Sequence, residues 1–157
     1  MTDRRVDHET FTIERRFAAP PERVFAAWAD PSAKRRWFAE GEGFTLKAYS
    51  LDFRIGGAEI CDGLEPSGRS FLNETVYHDI VEHRRLVFSY RMVMGGVPIS
   101  VSLATVELEP AGEATRMVFT EQAAFLDGGD TRSAREGGWG WLLDRLGEHL
   151  AERTVAS

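Results

Sequence analysis

The chain has 157 residues, of which 43% are hydrophobic and 28% are charged, and its formal net charge at pH 7 is −6. These values are ordinary for one globular domain with a single core. The acidic balance argues against nucleic acid and anionic membranes as partners. No apolar leader segment and no apolar run of membrane-spanning length occurs, so we expect a cytoplasmic protein.

From the N-terminus, the first elements follow from hydrophobic alternation and proline. Residues 1–8 are polar and are expected to form a flexible tail. Alternation of Phe11, Ile13 and Phe17 with polar residues predicts the first strand. Pro20-Pro21 then suits the start of a short helix. Asp30-Pro31 ends that helix and begins a second one, with Asp30 as N-cap, which is expected to finish at residues 36–38.

The middle of the chain reads as strands separated by glycine and proline turns. The predicted strands lie near residues 44–54, 57–63, 70–80, 85–94, 98–109 and 114–123. Their short connections favour antiparallel hairpins over parallel crossovers. A loop at residues 125–129 follows the last strand.

The final helix is predicted from about Thr131 to Arg153, with Asp130 as its N-cap. One face of it is apolar, formed by Trp139, Leu142, Leu143, Leu146 and Leu150. Such a face is buried most simply if the sheet curls around it. The predicted fold is therefore α+β: a curved antiparallel sheet of about seven strands on one long C-terminal helix, with two short helices after the first strand and a cavity between sheet and helix.

Signals for metal or nucleophile chemistry are weak. The histidines do not pair at metal-ligand spacing with a second ligand on the same face, and no Gly-x-Ser-x-Gly motif occurs. The lone Cys61 cannot form an internal disulfide and is expected to be a buried thiol. Short basic clusters at residues 4–5, 15–16, 34–36 and 84–85 are interpreted as solvated surface. We therefore predict no metal and no cofactor.

Several motifs occur in an order that is similar to a known family. They are the segment 17–25 that enters the first helix, Trp37-Phe38 at the end of the second, an Asp-x-Arg-x-Gly-Gly turn at 52–57, the strand led by Glu113-Ala114-Thr115, and Gly138-Trp139 with Leu143 and Leu146 in the last helix. Together they resemble the helix-grip superfamily, which includes START lipid-transfer domains and polyketide cyclases. Within it, the chain resembles the branch named after the C-terminal domain of the activator of heat-shock-protein 90 ATPase, over about residues 10–150.

The resemblance implies a single helix-grip domain over residues 9–153, with a ligand cavity between the sheet and the last helix. The eukaryotic activator has an N-terminal domain with no counterpart in this sequence. We therefore expect that the protein does not stimulate a chaperone ATPase.

The candidate site combines aromatic residues with two charges. Glu121 shares a strand face with Met117 and Phe119, and Arg135 lies one helical turn from Trp139. The family often has a histidine at each of these two positions. Glu121 and Arg135 are expected to pair, either as a ligand anchor or as a structural ion pair, and Tyr90 is the candidate hydrogen-bond partner of a ligand. The predicted cavity residues are Trp37, Phe38, Phe53, Tyr90, Met92, Phe119, Glu121, Arg135, Trp139 and Leu143.

Three functions from different classes remain open at this point. The first is binding of a small apolar or aromatic molecule, of lipid or polyketide type. The second is a cyclase or hydratase that uses Glu121 and Tyr90 as an acid–base pair, which an unpaired Glu121 would favour. The third is contact with a chaperone, which a filled core and an exposed apolar patch would favour. A homodimer is also left open, whereas no nucleic acid or membrane partner is expected.

Overall fold

The computed structural model describes residues 4–155. The strands are β1 Val6–Phe17, β2 Thr45–Leu51, β3 Ala58–Leu64, β4 Ser70–Val81, β5 Arg85–Met94, β6 Val97–Ala111 and β7 Ala114–Leu126. The helices are α1 Pro21–Ala29, α2 Pro31–Lys34 and α3 Arg132–Val155, and a π-helical turn at Arg35–Ala39 continues α2. None of the helices within the described residues combines the length and the hydropathy needed to cross a bilayer.

All seven strands form one curved antiparallel sheet in the order β1-β7-β6-β5-β4-β3-β2. Strands β2 to β7 are joined as successive neighbours, because each connection is a short turn. The N-terminal strand β1 completes the sheet by pairing with β7, from Val6 opposite Leu126 to Phe17 opposite Thr115. The predicted fold class is confirmed.

Helix α3 packs on the inner face of this sheet. Trp139, Leu143, Leu146 and Leu150 are buried among Phe11, Phe17 and Phe119 from the strands. Leu142, predicted on the same face, is only partly buried. The core therefore lies between the helix and the sheet, as the amphipathic pattern of the helix predicts.

The first two helices close one side of this core. Pro21 occupies the first helical position of α1, and Asp30 caps α2 by accepting a hydrogen bond from the Ser32 N–H at 3.1 Å. The second predicted helix ends differently from the expectation, since only four residues are α-helical before the π-helical turn. Arg145 of α3 donates hydrogen bonds to three carbonyl groups of that region, those of Arg36, Trp37 and Glu40.

The predicted N-terminal tail is wrong for its last residues. Residues 6–8 belong to β1 because β7 extends to Leu126, three residues beyond its predicted end, and supplies partners for them. Asp127 then accepts a hydrogen bond from the Arg5 N–H at 3.0 Å and holds the start of the strand. Residues 1–3 of the predicted tail lie outside the described residues.

The N-cap of α3 is also one residue later than predicted. The Thr131 hydroxyl accepts a hydrogen bond from the Ala134 N–H at 3.2 Å, and the Thr131 carbonyl accepts the Arg135 N–H. This is the geometry of an N-cap residue. The Asp130 carboxylate instead accepts the Thr131 N–H at 2.8 Å and contacts the Arg135 side chain.

Candidate functional site

A cleft of about 390 Å³ lies between the inner face of β3–β6 and the first half of α3. The π-helical turn and the segment that follows it form the third side. Its walls are mostly aromatic and aliphatic, with charged groups at the edges. The residues that line it include Phe38, Glu40, Phe44, Cys61, Glu65, Arg69, Phe71, Asn73, Tyr90, Met92, Asp130, Arg135, Gly138, Trp139, Trp141 and Arg145.

The structure divides the predicted cavity residues into two groups. Phe38, Tyr90, Met92, Arg135 and Trp139 line the cleft. The other five lie behind its wall, namely Trp37, Phe53, Phe119, Glu121 and Leu143. That a ligand contacts the lining residues stays a prediction.

The four uncharged residues behind the wall each have a packing role. Trp37 donates its indole N–H to the Ala27 carbonyl at 2.8 Å. Phe53 packs edge-on against Tyr77, with ring centroids 5.2 Å apart. Phe119 lies under Trp139 at 4.3 Å between centroids, and Leu143 is fully buried. Strand parity and helix phase identify inward-facing residues correctly, but they do not separate the wall of a cleft from the layer beneath it.

At the inner end of the cleft, Glu121 and Arg135 form the expected pair. Glu121 Oε2 lies 3.0 Å from Arg135 Nη1, and the Glu121 side chain is 0% exposed. The Ser102 hydroxyl donates to Glu121 Oε2 at 2.8 Å, and the Tyr90 hydroxyl donates to Oε1 at 2.6 Å. The carboxylate is thus held by three donors. We call Tyr90, Ser100, Ser102, Glu121, Asp130 and Arg135 the inner polar cluster.

Tyr90 is saturated within this cluster. Its hydroxyl donates to Glu121 and accepts hydrogen bonds from Arg135 Nη1 and Trp139 Nε1, both at 3.0 Å. A phenol hydroxyl has one proton and two lone pairs. These three bonds use its whole capacity, so the hydroxyl predicted to bond a ligand is already occupied.

The electrostatics keep the Tyr90 proton in place. Burial, and then the Glu121 carboxylate, raise the pKa of Tyr90 well above its ordinary value, and Arg135 opposes this only in part. Burial alone would lower the pKa of the Arg135 guanidinium, but Tyr90, Glu121 and Asp130 hold it above its ordinary value. The pair is therefore a neutral phenol and a permanent cation.

A second buried ion pair lies behind the opposite wall. Lys34 Nζ is 3.0 Å from both carboxylate oxygens of Glu59, and each residue is 1% exposed. Tyr49 and Tyr77 donate their hydroxyls to the same carboxylate at 2.6 and 2.7 Å. The ammonium also lies 4.4 Å from the centre of the Phe38 ring, whose residue lines the cleft.

Sequence reasoning missed this second pair. Lys34 was assigned to solvated surface as part of a basic cluster, and that assignment is wrong for Lys34 because α2 turns its side chain inward onto Glu59. Glu59 shares the inner face of β3 with Cys61. An acidic residue at an inward-facing strand position was the available signal.

Cys61 is buried, as predicted, and lines the cleft. Burial, and then the Glu59 carboxylate, raise the pKa of the thiol to about 12, against an opposing effect of Lys34. The thiol is therefore protonated at neutral pH and acts as a small apolar group of the wall.

The mouth of the cleft is aromatic and partly exposed. Trp141 is 47% exposed and stacks on Phe44 with ring centroids 6.0 Å apart. The Arg145 guanidinium lies 5.2 Å from the Trp141 ring. Phe44 and Phe71 meet edge to face at 6.1 Å. Phe44, Phe71 and Trp141 were not among the predicted site residues.

The described residues contain no candidate metal site. Among residues 4–155, His, Cys, Asp and Glu side chains form no group of three or more that could hold a metal ion.

Comparison with solved structures places the fold among bacterial proteins. The chain is 42% identical to a protein from Rhizobium leguminosarum, with a TM-score of 0.92 and coverage of 96% of this chain and 99% of that one. It is 45% identical to the Mll3558 protein from Rhizobium loti, with a TM-score of 0.85 and coverage of 92% and 99%. Protein CV1439 from Chromobacterium violaceum is 26% identical, with a TM-score of 0.77 and coverage of 90% and 96%.

No protein of curated function matches the sequence. The model of one family, described as activator of Hsp90 ATPase homolog 1-like protein, matches residues 18–151. Those residues include every element of the fold except β1 and the end of α3. Because the match spans most of the chain, the protein belongs to the family of activator of Hsp90 ATPase homolog 1-like proteins.

Proposed function

We propose that this domain binds a small apolar or aromatic molecule in the cleft between β3–β6 and α3. The observation that carries the proposal is the contrast between the walls of the cleft and the charges at its inner end. Phe38, Met92, Trp139 and Trp141 line it, whereas Glu121 and Arg135 satisfy each other and their neighbours. Apolar contact is then the main source of affinity, as in most small-molecule sites.

A helix glycine supports the same proposal. Gly138 lines the cleft, and a Cβ placed on it would meet no other atom within 4 Å. Glycine inside a helix costs about 1 kcal/mol relative to alanine. The absence of a side chain at this position leaves open space beside Trp139 in which a bound molecule can approach the helix backbone.

The two neighbouring glycines of α3 provide a matched test. A Cβ on Gly137 also meets nothing within 4 Å, but Gly137 does not line the cleft. Both Gly138→Leu and Gly137→Leu improve helix propensity by a similar amount. Only the Gly138→Leu side chain would occupy the cleft.

We expect wild type and Gly137→Leu to bind 2-ethylnaphthalene in equilibrium dialysis and to gain melting temperature from it by mass action. Gly138→Leu should lose about tenfold or more in affinity while melting no lower than wild type without the probe. Native mass spectrometry of the purified protein would test for a co-purified molecule. Equal binding by the two variants, or no binding of this probe and of a broader apolar library by wild type, would contradict the proposal.

The cyclase or hydratase alternative receives less support from the geometry. It requires a carboxylate and a hydroxyl that can exchange protons with a ligand. Glu121 is fully buried and held by three donors, and the Tyr90 hydroxyl has no free hydrogen-bonding position. Proton transfer at the ligand would first require this cluster to open.

Chaperone contact is the second candidate, and family membership is the observation that favours it. The half-exposed Trp141 and its neighbour Phe44 would be the natural contact surface. Its test is a measurement of chaperone ATPase activity with and without this protein.

A further inference from the structure

Three residues from adjacent strands form a row across the floor of the cleft. Cys61 of β3 lies opposite Asn73 of β4, and Asn73 lies opposite Met92 of β5. All three line the cleft. Asn73 is the central member of this row and the only one with an amide, and it is 8% exposed.

The Asn73 amide is bonded at one end only. Its Oδ1 accepts a hydrogen bond from the Thr75 hydroxyl at 2.8 Å, two residues along the strand. Its Nδ2 carries two N–H donors, and in the described part of the chain these donors have no acceptor. The row offers them only the Cys61 thiol and the Met92 thioether, which are weak acceptors.

Asn73 Nδ2 is not among the fully buried unpartnered atoms of the described residues, so it is accessible from the open cleft, and a molecule that fills the cleft would bury it. A buried donor without an acceptor is rare and costly in folded proteins. The charged residues of the inner polar cluster bond to one another, so they do not compensate for it. The donor therefore faces a cleft whose floor is otherwise apolar. A molecule that fills the cleft and carries an acceptor at this point would satisfy it.

The charges around the cleft indicate that this acceptor is neutral. The lining cations are matched in number by lining carboxylates: Arg69, Arg135 and Arg145 against Glu40, Glu65 and Asp130. Arg135 is engaged with Glu121, and Arg145 with backbone carbonyls. An ionised group moved into the cleft would lose its hydration without gaining a net opposite charge.

We propose that the Asn73 amide is the specificity-determining donor of the cleft, and that the ligand is an uncharged aromatic or apolar molecule bearing a carbonyl oxygen that accepts a hydrogen bond from Asn73 Nδ2. This inference rests on the proposed function and adds to it the chemical class of the ligand. It also assigns recognition to a residue outside the Glu121–Arg135 pair.

Two probes of nearly equal shape test the proposal: 2-acetylnaphthalene, which has the carbonyl, and 2-ethylnaphthalene, which lacks it. Equilibrium dialysis gives the affinity of each for wild type and Asn73→Leu. We expect Asn73→Leu to lower the affinity for the ketone about tenfold, the range of one hydrogen bond. Its affinity for the hydrocarbon should change less than twofold.

Two further variants separate recognition from folding. Asn73→Asp at pH 8 keeps an acceptor for Thr75 but removes the two N–H donors. Its affinity for the ketone should therefore fall as much as that of Asn73→Leu. Thr75→Val removes the bond to Asn73 but keeps the amide, so it should retain the preference for the ketone. Thermal melts establish that each variant is folded.

The outcomes separate the two proposals. If both probes bind wild type and Asn73→Leu weakens both equally, or weakens neither, the role of Asn73 is overturned and the proposed function stands. If neither probe binds wild type, the proposed function fails and this inference fails with it. Selective loss of the ketone in Asn73→Leu and Asn73→Asp supports both.

Discussion

Arg135 is used almost entirely for contacts inside the protein. Its Nε lies 3.2 Å from Asp130 Oδ2, its Nη1 lies 3.0 Å from Glu121 Oε2, and its Nη2 lies 2.7 Å from the Ser100 hydroxyl. Each of its three nitrogens therefore has an oxygen partner. This arrangement favours the structural ion pair over the ligand anchor, the two interpretations that the sequence leaves open.

The two halves of this pair should respond differently to mutation. Arg135→Met leaves the Glu121 charge buried without a cation, which costs on the order of 3–5 kcal/mol of unfolding free energy. Glu121→Gln should cost less, because Asp130, with Oδ2 3.0 Å from Arg135 Nη2, still neutralises the guanidinium. The double variant should recover much of the loss caused by Arg135→Met. Urea unfolding of the four proteins measures these values.

Additive effects in this cycle would mean that the two charges act independently. If the single variants kept full stability but lost binding of a cleft ligand, the anchor interpretation would be the correct one. Binding of 2-ethylnaphthalene by the same variants distinguishes these two results.

At the scale of elements, the π-helical turn depends on α3. The last carbonyl groups of a helix have no partner within it, and here the Arg145 guanidinium takes the carbonyls of Arg36 and Trp37, each at 2.9 Å, and that of Glu40. Phe38 lies within this segment and forms a wall of the cleft. One side chain of α3 therefore fixes the position of a wall that belongs to another element.

We expect Arg145→Met to destabilise the protein by about 1–3 kcal/mol, since it leaves these carbonyls without their donor while keeping much of the apolar stem. Amide hydrogen exchange should become faster at residues 35–41 in particular. Arg132→Met is the matched control. Arg132 also lies on α3, but its partners Glu9 and Glu136 are exposed, so its loss should cost about 0.5 kcal/mol or less. Equal losses of stability in the two variants would contradict the inference that Arg145 fixes the π-helical turn.

For the whole molecule, the open question is the chaperone contact. We expect the full chain at micromolar concentration not to stimulate the ATPase of a purified bacterial Hsp90 homologue. The structure commits the described residues to one sheet–helix domain with a cleft. A coupled-enzyme ATPase assay measures the effect, and Trp141→Ala is the variant to include. Stimulation that Trp141→Ala abolishes would contradict this expectation and establish the second candidate function.

The order of elements could be predicted from the sequence because it depends on local signals. Glycine and proline turns delimit the strands, and the spacing of Trp139, Leu143 and Leu146 identifies the face of α3 that is buried. The ends of the strands and helices were harder to predict. The start of β1 at Val6 depends on pairing with Leu126, which local alternation does not reveal.

The site was predictable only in part, for a related reason. Inward-facing positions follow from strand parity, so Tyr90, Met92 and Glu121 were identified. How deeply a residue is buried depends on which parts of the opposite element cover it, and local sequence does not show this. In the structure Glu121 lies behind the wall of the cleft and Trp141 lies at its mouth. Lys34 was missed because charge in the sequence is read as exposure, and Glu59, its partner, lies 25 residues away in another element.

The position of β1 has a consequence for how the chain acquires its structure during synthesis. Strands β2 to β7 can pair with their neighbours in the order in which they leave the ribosome, because each partner follows directly. The first strand must wait for β7: Thr12 and Thr120, whose side chains meet at 3.4 Å, are 108 positions apart. Contacts between such distant residues are slow to form. The N-terminal strand, made first, is therefore among the last to join the sheet, and its inward-facing Phe11, Ile13 and Phe17 remain in water until nearly the whole domain has been translated.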